Sequence, residues 1–193
     1  KITLITGASA GIGQACAHSF AREGSHLILA ARREDKITAL ANSLAQEFGI
    51  RTHSIVLDVR DRLAVNAAFE SLPEEWKNID ILINNAGLSR GLDKMQEAYY
   101  LDWDEMIDTN VKGLLWVSRA IMPGMVERDG GHVINIGSVA GRQVYAGGNV
   151  YCATKHAVKA ITQGMRIDLL GTKVRCSSVD PGLVESEFSE DRF

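Results

Sequence analysis

The chain has 193 residues, of which 46% are hydrophobic and 23% are charged, and its net charge is −3. These values are typical of one globular domain and argue against disorder. The small negative charge excludes the basic excess of nucleic-acid-binding domains, so no nucleic-acid partner is expected. Every apolar stretch is far shorter than the ~20 residues that span a bilayer, so no membrane partner is expected.

Three cysteines, Cys16, Cys152 and Cys176, form no CxxC pair. An odd number of widely spaced thiols favours a reducing compartment, and we therefore expect a cytoplasmic protein. The sequence contains no cysteine and histidine cluster of zinc-finger type, and no metal site is predicted. The 18 glycines exceed the usual ~7% share, which raises the question of where the backbone makes close approaches.

Short β-branched runs alternate with longer amphipathic segments. The nearly continuous apolar runs are typical of strands covered on both faces. They predict six strands, at Ile2–Thr6, His26–Ala31, His53–Leu57, Ile79–Ile83, His132–Ile136 and Val174–Val179. Helical periodicity predicts five helices, over residues 11–23, 34–48, 61–72, 100–128 and 149–170. The alternation predicts an α/β fold with a doubly wound parallel sheet, a Rossmann fold in one domain, whose ligands bind beyond the carboxyl ends of the strands.

A glycine-rich turn connects the first predicted strand to the first predicted helix. Glycines there permit a tight turn, close approach of the backbone to a pyrophosphate and close packing of the helix, whose N-terminus attracts the anion. A purely structural glycine turn is the alternative. The predicted dinucleotide contacts of this turn are Gly7, Ser9, Ala10, Gly11, Ile12 and Gly13.

The end of the second predicted strand bears on which dinucleotide is bound. An NAD-binding fold carries an acidic residue there for the adenosine ribose, whereas this chain has Ala31 followed by Arg32 and Arg33. A carboxylate would repel a 2′-phosphate, and a guanidinium can bind it with two hydrogen bonds. The pair therefore predicts NADP as the cofactor, with exposed helix-start arginines as the alternative.

Two further strand ends carry candidate cofactor residues. Asp58 and Val59 follow the third strand, where Asp58 could equally cap the helix that begins near Asp61. The fourth strand ends in Asn84-Asn85-Ala86-Gly87. Its small residues leave room for a ligand, and its two amides can tie strand ends together.

A tyrosine and a lysine, Tyr151 and Lys155, lie four positions apart in a predicted helix and therefore share one helix face. A free phenol, with a pKa of ~10, is a poor base near neutral pH, and an adjacent ammonium favours the phenolate. Ser138 follows the fifth strand, and its hydroxyl can stabilise charge on a substrate oxygen. Asn110, near Gly113 in an otherwise apolar helix, predicts a local irregularity with a bound water; a buried structural amide is the alternative.

The whole chain resembles the short-chain dehydrogenase/reductase family. The resemblance rests on the TGxxxGxG turn, the NNAG strand end, the order Asn110, Ser138, Tyr151, Lys155 and the Pro181-Gly182 turn. It implies that Tyr151 gives or takes the proton and that Ser138 steadies the substrate oxygen. It also implies that Lys155 binds the nicotinamide ribose and lowers the pKa of Tyr151, while Asn110 holds a water in the proton relay.

The resemblance also extends the set of cofactor contacts. It implies that Asp58 accepts a hydrogen bond from the adenine amino group and that Val59 packs on the adenine ring. Ser186 stands where the family commonly has threonine and retains the hydroxyl. The remaining implied cofactor contacts are Asn85, Ala86, Gly87, Tyr151, Lys155, Pro181, Gly182 and Val184.

Four stretches, 71–76, 122–128, 145–151 and 181–184, resemble the NADP-dependent 3-hydroxy acid dehydrogenase branch, which acts on serine and allo-threonine. We therefore expect an oxidoreductase that transfers a hydride between NADP and a small 3-hydroxy acid, with Ser138 and Tyr151 contacting the substrate. Arg142 and Arg192 are candidate partners for the substrate carboxylate, with surface positions as the alternative. The competing hypotheses are an NADPH-dependent carbonyl or 3-oxoacyl reductase and, disfavoured by the retained catalytic residues, a non-catalytic NADP-binding sensor.

The helical segments 100–128 and 149–170 carry more apolar positions than one sheet face needs. The resemblance implies a homotetramer that pairs through them, and burial in the chain's own core is the alternative. It also implies a seventh strand and a substrate lid. Adding a parallel strand takes a βαβ unit of at least ~30 residues, so we expect the last strand and the lid to lie in a longer polypeptide.

Overall fold

Six parallel strands form one sheet at the centre of the molecule. The computed structural model describes residues 1–184. The strands are β1 (Ile2–Thr6), β2 (His26–Ala31), β3 (Thr52–Val56), β4 (Ile81–Asn84), β5 (Gly131–Ile136) and β6 (Val174–Val179). Their order is β3-β2-β1-β4-β5-β6, so the direction of winding reverses between β1 and β4. This is the order of a dinucleotide-binding fold and confirms the predicted doubly wound sheet.

Six α-helices cover the two faces of the sheet. They are α1 (Gly11–Arg22), α2 (Glu34–Phe48), α3 (Arg62–Glu70), α4 (Tyr100–Ile107), α5 (Leu114–Glu127) and α6 (Asn149–Asp168). Neighbouring residues of β1 serve opposite faces: Leu4 packs with α3, α5 and α6, whereas Ile5 packs with α1 and α2. This burial on both faces explains the continuous apolar runs. Within the described residues, no helix combines the length and the apolar character needed to cross a membrane.

Helix α3 begins one residue later than the sequence predicts, because its cap is Asp61. The Asp61 carboxylate accepts hydrogen bonds from Leu63 N and Ala64 N, at 2.9 and 3.0 Å. The alternative that Asp58 caps this helix is therefore wrong. The Asp58 carboxylate instead accepts hydrogen bonds from the backbone and side chain of Arg60.

The predicted helical segment over 100–128 is helical from Tyr100 to Glu127, but its hydrogen-bond pattern changes in the middle. Helix α4 ends at Ile107, a π-helical turn spans Asp108–Gly113, and α5 begins at Leu114. Such turns insert an extra residue and occur mostly at functional sites. Two non-local contacts accompany the turn: the Asn110 side chain bonds to Leu88, and Gly113 packs so closely on Val59 that a Cβ would lie 2.6 Å from Val59 Cγ2. The local irregularity predicted at Asn110 is confirmed.

Candidate active site

A cavity of about 650 Å³ opens at the carboxyl ends of the strands, where the winding reverses. Most of the residues predicted from the sequence share its wall. Of the predicted catalytic and cofactor residues, Gly13 and Asn110 lie outside the wall, and Ser186 lies outside the described residues. The predicted residues in the wall are Gly7, Ser9, Ala10, Gly11, Ile12, Arg32, Arg33, Asp58, Val59, Asn85, Ala86, Gly87, Ser138, Tyr151, Lys155, Pro181, Gly182 and Val184.

The glycine turn is held against the end of β4. Gly7 has a φ of +63°, and a Cβ there would lie 2.9 Å from both Ala86 Cα and Asn85 Nδ2. Asn85 Nδ2 donates hydrogen bonds to Thr6 O and Gly7 O, each at 3.0 Å. A Cβ at Gly13 would overlap Gly7 O. Gly13 therefore allows α1 to pack against the turn. Gly13 itself does not line the cavity.

The end of β2 reaches the glycine turn at one end of the cavity. Arg33 Nε and one terminal guanidinium nitrogen of Arg33 donate to Ser9 Oγ, at 3.3 and 3.1 Å. The Arg32 side chain is 53% exposed, and its guanidinium lies 3.8 Å from the Glu105 carboxylate. Two guanidiniums and a hydroxyl at one end of the wall fit the 2′-phosphate of NADP, because they supply charge and several donors together.

Glu105, on α4, joins the segments that frame this end of the cavity. Its carboxylate accepts hydrogen bonds from Arg90 at 2.7 Å and from Arg60 at 3.0 Å. Hydrogen bonding to Arg90, together with the charges of Arg60 and Arg32, lowers the carboxyl pKa of Glu105 despite partial burial. Burial opposes ionisation of Asp58, but the hydrogen bonds and charge of Arg60 outweigh it and hold the Asp58 pKa below its ordinary value.

Arg90 also lines the cavity and was not predicted from the sequence. Arg90 lies six residues after the end of β4, and Arg90 N donates to Met106 Sδ at 3.4 Å. A position shortly after a central strand was the signal that could have identified it. Glu105 carried no such signal, because it lies within a helix and contacts its arginines only in the folded chain.

The other end of the cavity brings Ser138, Tyr151 and Lys155 together. Ser138 follows β5 directly, and its Oγ accepts a hydrogen bond from Ala140 N at 3.1 Å. Lys155 Nζ donates to Ile136 O, at the end of β5, at 3.0 Å and lies 5.8 Å from the centre of the Tyr151 ring. Tyr151 and Lys155 are only 9% and 7% exposed. A phenol, a hydroxyl and an ammonium on one wall can together bind and protonate a substrate oxygen.

Burial changes the acidity of Lys155. It lowers the pKa of the ammonium to about 8, and the charge of Asp180 opposes that effect. The ammonium is therefore mostly charged at neutral pH and loses its proton at moderately alkaline pH. The charged form is the one that favours an adjacent phenolate.

Asn110 is buried and does not line the cavity, and its side chain is held by hydrogen bonds. Asn110 Oδ1 accepts from Leu88 N and Asn110 Nδ2 donates to Leu88 O, both at 2.8 Å, and Nδ2 also donates to Thr154 Oγ1 at 3.1 Å. A Cβ at Gly87 would lie 3.2 Å from Asn110 Oδ1 and 3.7 Å from Lys155 Nζ. The Asn110 amide therefore fixes the segment after β4 beside Lys155. Its role in holding a water stays a prediction.

Two hydroxyls of the cavity residues provide a further test of whether a dinucleotide fits. Ser89 Oγ and Thr109 Oγ1 are buried and have no hydrogen-bond partner within the described residues. Ser89 and Thr109 both line the cavity. Buried polar groups without a partner are uncommon in native proteins. A bound nucleotide, rich in donors and acceptors, fits this wall.

The two arginines proposed for a substrate carboxylate lie elsewhere. Arg142 donates from Nε and a terminal nitrogen to Asp180 Oδ2, at 3.1 and 2.7 Å, and it is absent from the cavity wall. Its side chain is 64% exposed, as the surface alternative predicted. Arg192 lies outside the described residues.

Comparison with known proteins identifies the family of this chain. The family model of the short chain dehydrogenases matches residues 1–193. The chain belongs to the short-chain dehydrogenase family. Its resemblance to that family and its class, an oxidoreductase, are thereby confirmed.

Several relatives of this short-chain dehydrogenase carry functional names. It is 48% identical over 193 residues to the NADP-dependent 3-hydroxy acid dehydrogenase YdfG of Escherichia coli K12, covering 100% of this chain and 76% of that protein. It is 46% identical over 189 residues to sulfoacetaldehyde reductase 2 of Chromohalobacter salexigens, covering 97% and 74%. Among solved structures, the closed form of serine dehydrogenase complexed with NADP+ matches it with a TM-score of 0.94 and 48% identity, covering 100% of this chain and 77% of that one.

Replacing Arg32 with alanine should weaken NADP use selectively. Loss of charge-assisted hydrogen bonds to the 2′-phosphate, each of about 1.5–3 kcal/mol, should raise the KM for NADP roughly ten- to hundredfold. The KM for NAD should stay nearly unchanged, since NAD carries a free 2′-hydroxyl. Steady-state kinetics with both coenzymes measures this difference.

Arg32→Lys is the matched control, because it retains the charge and loses the planar fork, so its KM for NADP should be intermediate. An equal rise in the KM for both coenzymes would contradict the assignment of Arg32 to the 2′-phosphate.

Proposed function

We propose that this short-chain dehydrogenase transfers a hydride between NADP and a small 3-hydroxy acid or its ketone. The observation that carries the proposal is the convergence of Ser138, Tyr151 and Lys155 on one wall of a cavity whose other end holds Arg32 and Arg33. The first set of residues suits proton transfer to a substrate oxygen, and the second suits a 2′-phosphate. The names of relatives that are 48% identical support both parts.

The chain offers distinct groups for each part of NADP. Arg32, Arg33 and Ser9 would hold the 2′-phosphate, and the N–H groups at the start of α1 would face the pyrophosphate. Lys155 would hydrogen-bond the nicotinamide ribose. When bound, NADP supplies the position that accepts or releases the hydride.

Proton transfer is the work of the protein's own side chains. In the reductive direction, hydride addition to the carbonyl carbon leaves negative charge on the oxygen, and the Tyr151 hydroxyl gives its proton to that oxygen. In the oxidative direction, the Tyr151 phenolate takes the proton of the alcohol. Ser138 Oγ donates a hydrogen bond to the same substrate oxygen, and the Lys155 ammonium favours the charged phenolate.

We assign to Asn110 the role of holding a water of the proton relay. The supporting observation is its place beside Gly87 and Lys155, where the π-helical turn positions its amide. The two hydrogen bonds between the Asn110 side chain and the Leu88 backbone hold the segment after β4 in place.

Substrates named for the relatives share small size and one anionic group, a carboxylate or a sulfonate. The rates of NADP reduction with serine, allo-threonine, 3-hydroxybutyrate and 2-hydroxyethanesulfonate test whether the substrate carries a carboxylate or a sulfonate. We expect the highest kcat/KM with a 3-hydroxy acid. A kcat/KM at least tenfold higher with the sulfonate, or with NADPH and an acetoacetyl thioester, would overturn the proposed substrate class.

Replacing Tyr151 with phenylalanine should abolish most turnover while the cofactor site remains intact. Loss of a general acid–base group costs typically 10²–10⁴-fold in rate. The Kd for NADPH, measured by fluorescence titration, should change little, because the phenyl ring preserves the packing.

Tyr99→Phe is the matched control, since Tyr99 is exposed and absent from the cavity wall. It should retain full turnover. Turnover near the original rate in Tyr151→Phe would show that another group transfers the proton.

We also propose a homotetramer and a cytoplasmic location. Exposed apolar side chains on α4 and α5 support assembly: Leu101 is 80% exposed and Leu115 is 41% exposed. Light scattering should give a mass of four chains, and Leu101→Lys should lower it, because a charge on a buried interface opposes association. A monomer in the unaltered protein would contradict the proposal.

The three free thiols are consistent with a reducing compartment and so support the proposed cytoplasmic location.

A further inference from the structure

Asp180 lies directly after β6, with its carboxylate against the end of β5. A Cβ at Gly137 would overlap Asp180 Oδ1 and lie 3.0 Å from Ser178 Oγ. Gly137 stands between Ile136, whose carbonyl accepts from Lys155 Nζ, and Ser138. The Asp180 carboxylate therefore lies beside Gly137, between Ser138 and the Ile136 carbonyl that binds Lys155. The Asp180 side chain is only 14% exposed.

Hydrogen bonds fasten the segment that carries Ser138 to the segment that carries Asp180. Arg142, which ends the short 3₁₀ turn Val139–Gly141 after Ser138, donates twice to Asp180 Oδ2, and Ser178 Oγ donates to Oδ1. A backbone hydrogen bond joins the same two segments, because Val139 N donates to Pro181 O at 3.0 Å. Asp180 is thus the side-chain link between the Ser138 turn and the end of β6.

The same carboxylate acts on Lys155 through its charge. Burial lowers the ammonium pKa to about 8, and Asp180 counteracts part of that change. The charge of Lys159, one helical turn beyond Lys155, also lowers the carboxyl pKa of Asp180. Ser178 and Arg142 lower it as well, and together these groups outweigh the effect of burial. Asp180 is therefore ionised at neutral pH.

Several other titratable groups on α6 and on the elements packed against it engage other partners within the described residues. Those pairs are Asp108 with Lys112, Glu105 with Arg60 and Arg90, Arg166 with Cys176 O, His132 with Ser177 Oγ and His156 with Cys152 O. Among the residues described, Asp180 is the carboxylate whose charge acts on Lys155.

We propose that Asp180 is a positioning residue of this enzyme, whose carboxylate keeps the Lys155 ammonium charged and holds the Ser138 turn in place. The inference rests on the proposed roles of Lys155 and Ser138. The effect of the charge on Lys155 and the link to the Ser138 turn can be tested by separate mutations. Asp180→Asn removes the charge at nearly constant size, whereas Arg142→Gln removes the hydrogen bonds of Arg142 and leaves the charge of Asp180.

The direction of the pH effect follows from the sign of the charge. Without the Asp180 carboxylate, burial acts on Lys155 unopposed, and the ammonium loses its proton at a lower pH. The alkaline limb of the kcat profile should therefore move to lower pH in Asp180→Asn. In Arg142→Gln, kcat should fall while that limb stays in place.

The experiment combines kcat against pH, from pH 6 to 10, with a direct titration of the ligand-free protein. The ¹⁵N chemical shift of Lys155 Nζ, assigned with Lys155→Arg, reports the ammonium without any coenzyme. Asp180→Asn should lower the pH midpoint of that shift, and Arg142→Gln should leave it unchanged. If Asp180→Asn does not fold, as judged by thermal unfolding, Asp180→Ser replaces it, because it also removes the charge and fills less space against Gly137.

Unchanged midpoints in the Asp180 variants would overturn the inference. Equal shifts in Asp180→Asn and Arg142→Gln would also overturn it, since the hydrogen-bonded link and not the charge would then control Lys155. The titration needs no turnover, so failure of the proposed reaction in the unaltered protein and failure of the inference about Asp180 are distinguishable.

Discussion

The side chain of Asn85 joins the carboxyl ends of β1 and β4, and the arrangement of the cavity depends on that junction. Its amide donates to two successive carbonyls, Thr6 O and Gly7 O, across the point where the winding of the sheet reverses. The junction is possible because Gly7 and Gly13 have no Cβ. It brings the helix N-terminus of α1, suited to an anion, beside the strand whose next residues line the centre of the cavity.

A second set of buried amides connects the sheet to α5 and to α6, the helix that carries Tyr151 and Lys155. Asn84 donates to Ser118 on α5 and to Asn135 on β5, and Asn135 donates to Thr162 on α6, two turns beyond Lys155. The bonds to Ser118 and Thr162 would each leave a buried polar group without its partner if α5 or α6 shifted along the sheet, which costs about 1–3 kcal/mol per group. The register of α6, and with it the place of Tyr151, is therefore specified by polar bonds as well as by apolar packing.

The two ends of the cavity use charge in different environments. At one end, Arg32 and Arg60 are partly exposed and share the carboxylates of Asp58 and Glu105, so solvent screens their charges. At the other end, Lys155 is almost fully buried, and a single carboxylate changes its proton affinity. The first arrangement suits binding of a highly charged phosphate. The second suits control of a proton near neutral pH.

The sequence by itself determined the features that depend on neighbouring residues: the starts of five of the six helices, near 11, 34, 61, 100 and 149, the six strands, the glycine turn and the one-turn spacing of Tyr151 and Lys155. Periodicity and turn chemistry are local, so they can be interpreted without a structure. Tertiary structure alone decided the bonding of the Asn110 amide to Leu88, the bonding of Asp58 to Arg60, the pairing of Arg142 with Asp180 and the contact of Glu105 with three arginines. The reason is physical: each of these outcomes depends on which partner the folded chain brings within hydrogen-bonding distance, and hydrophobic patterning carries no information about that choice.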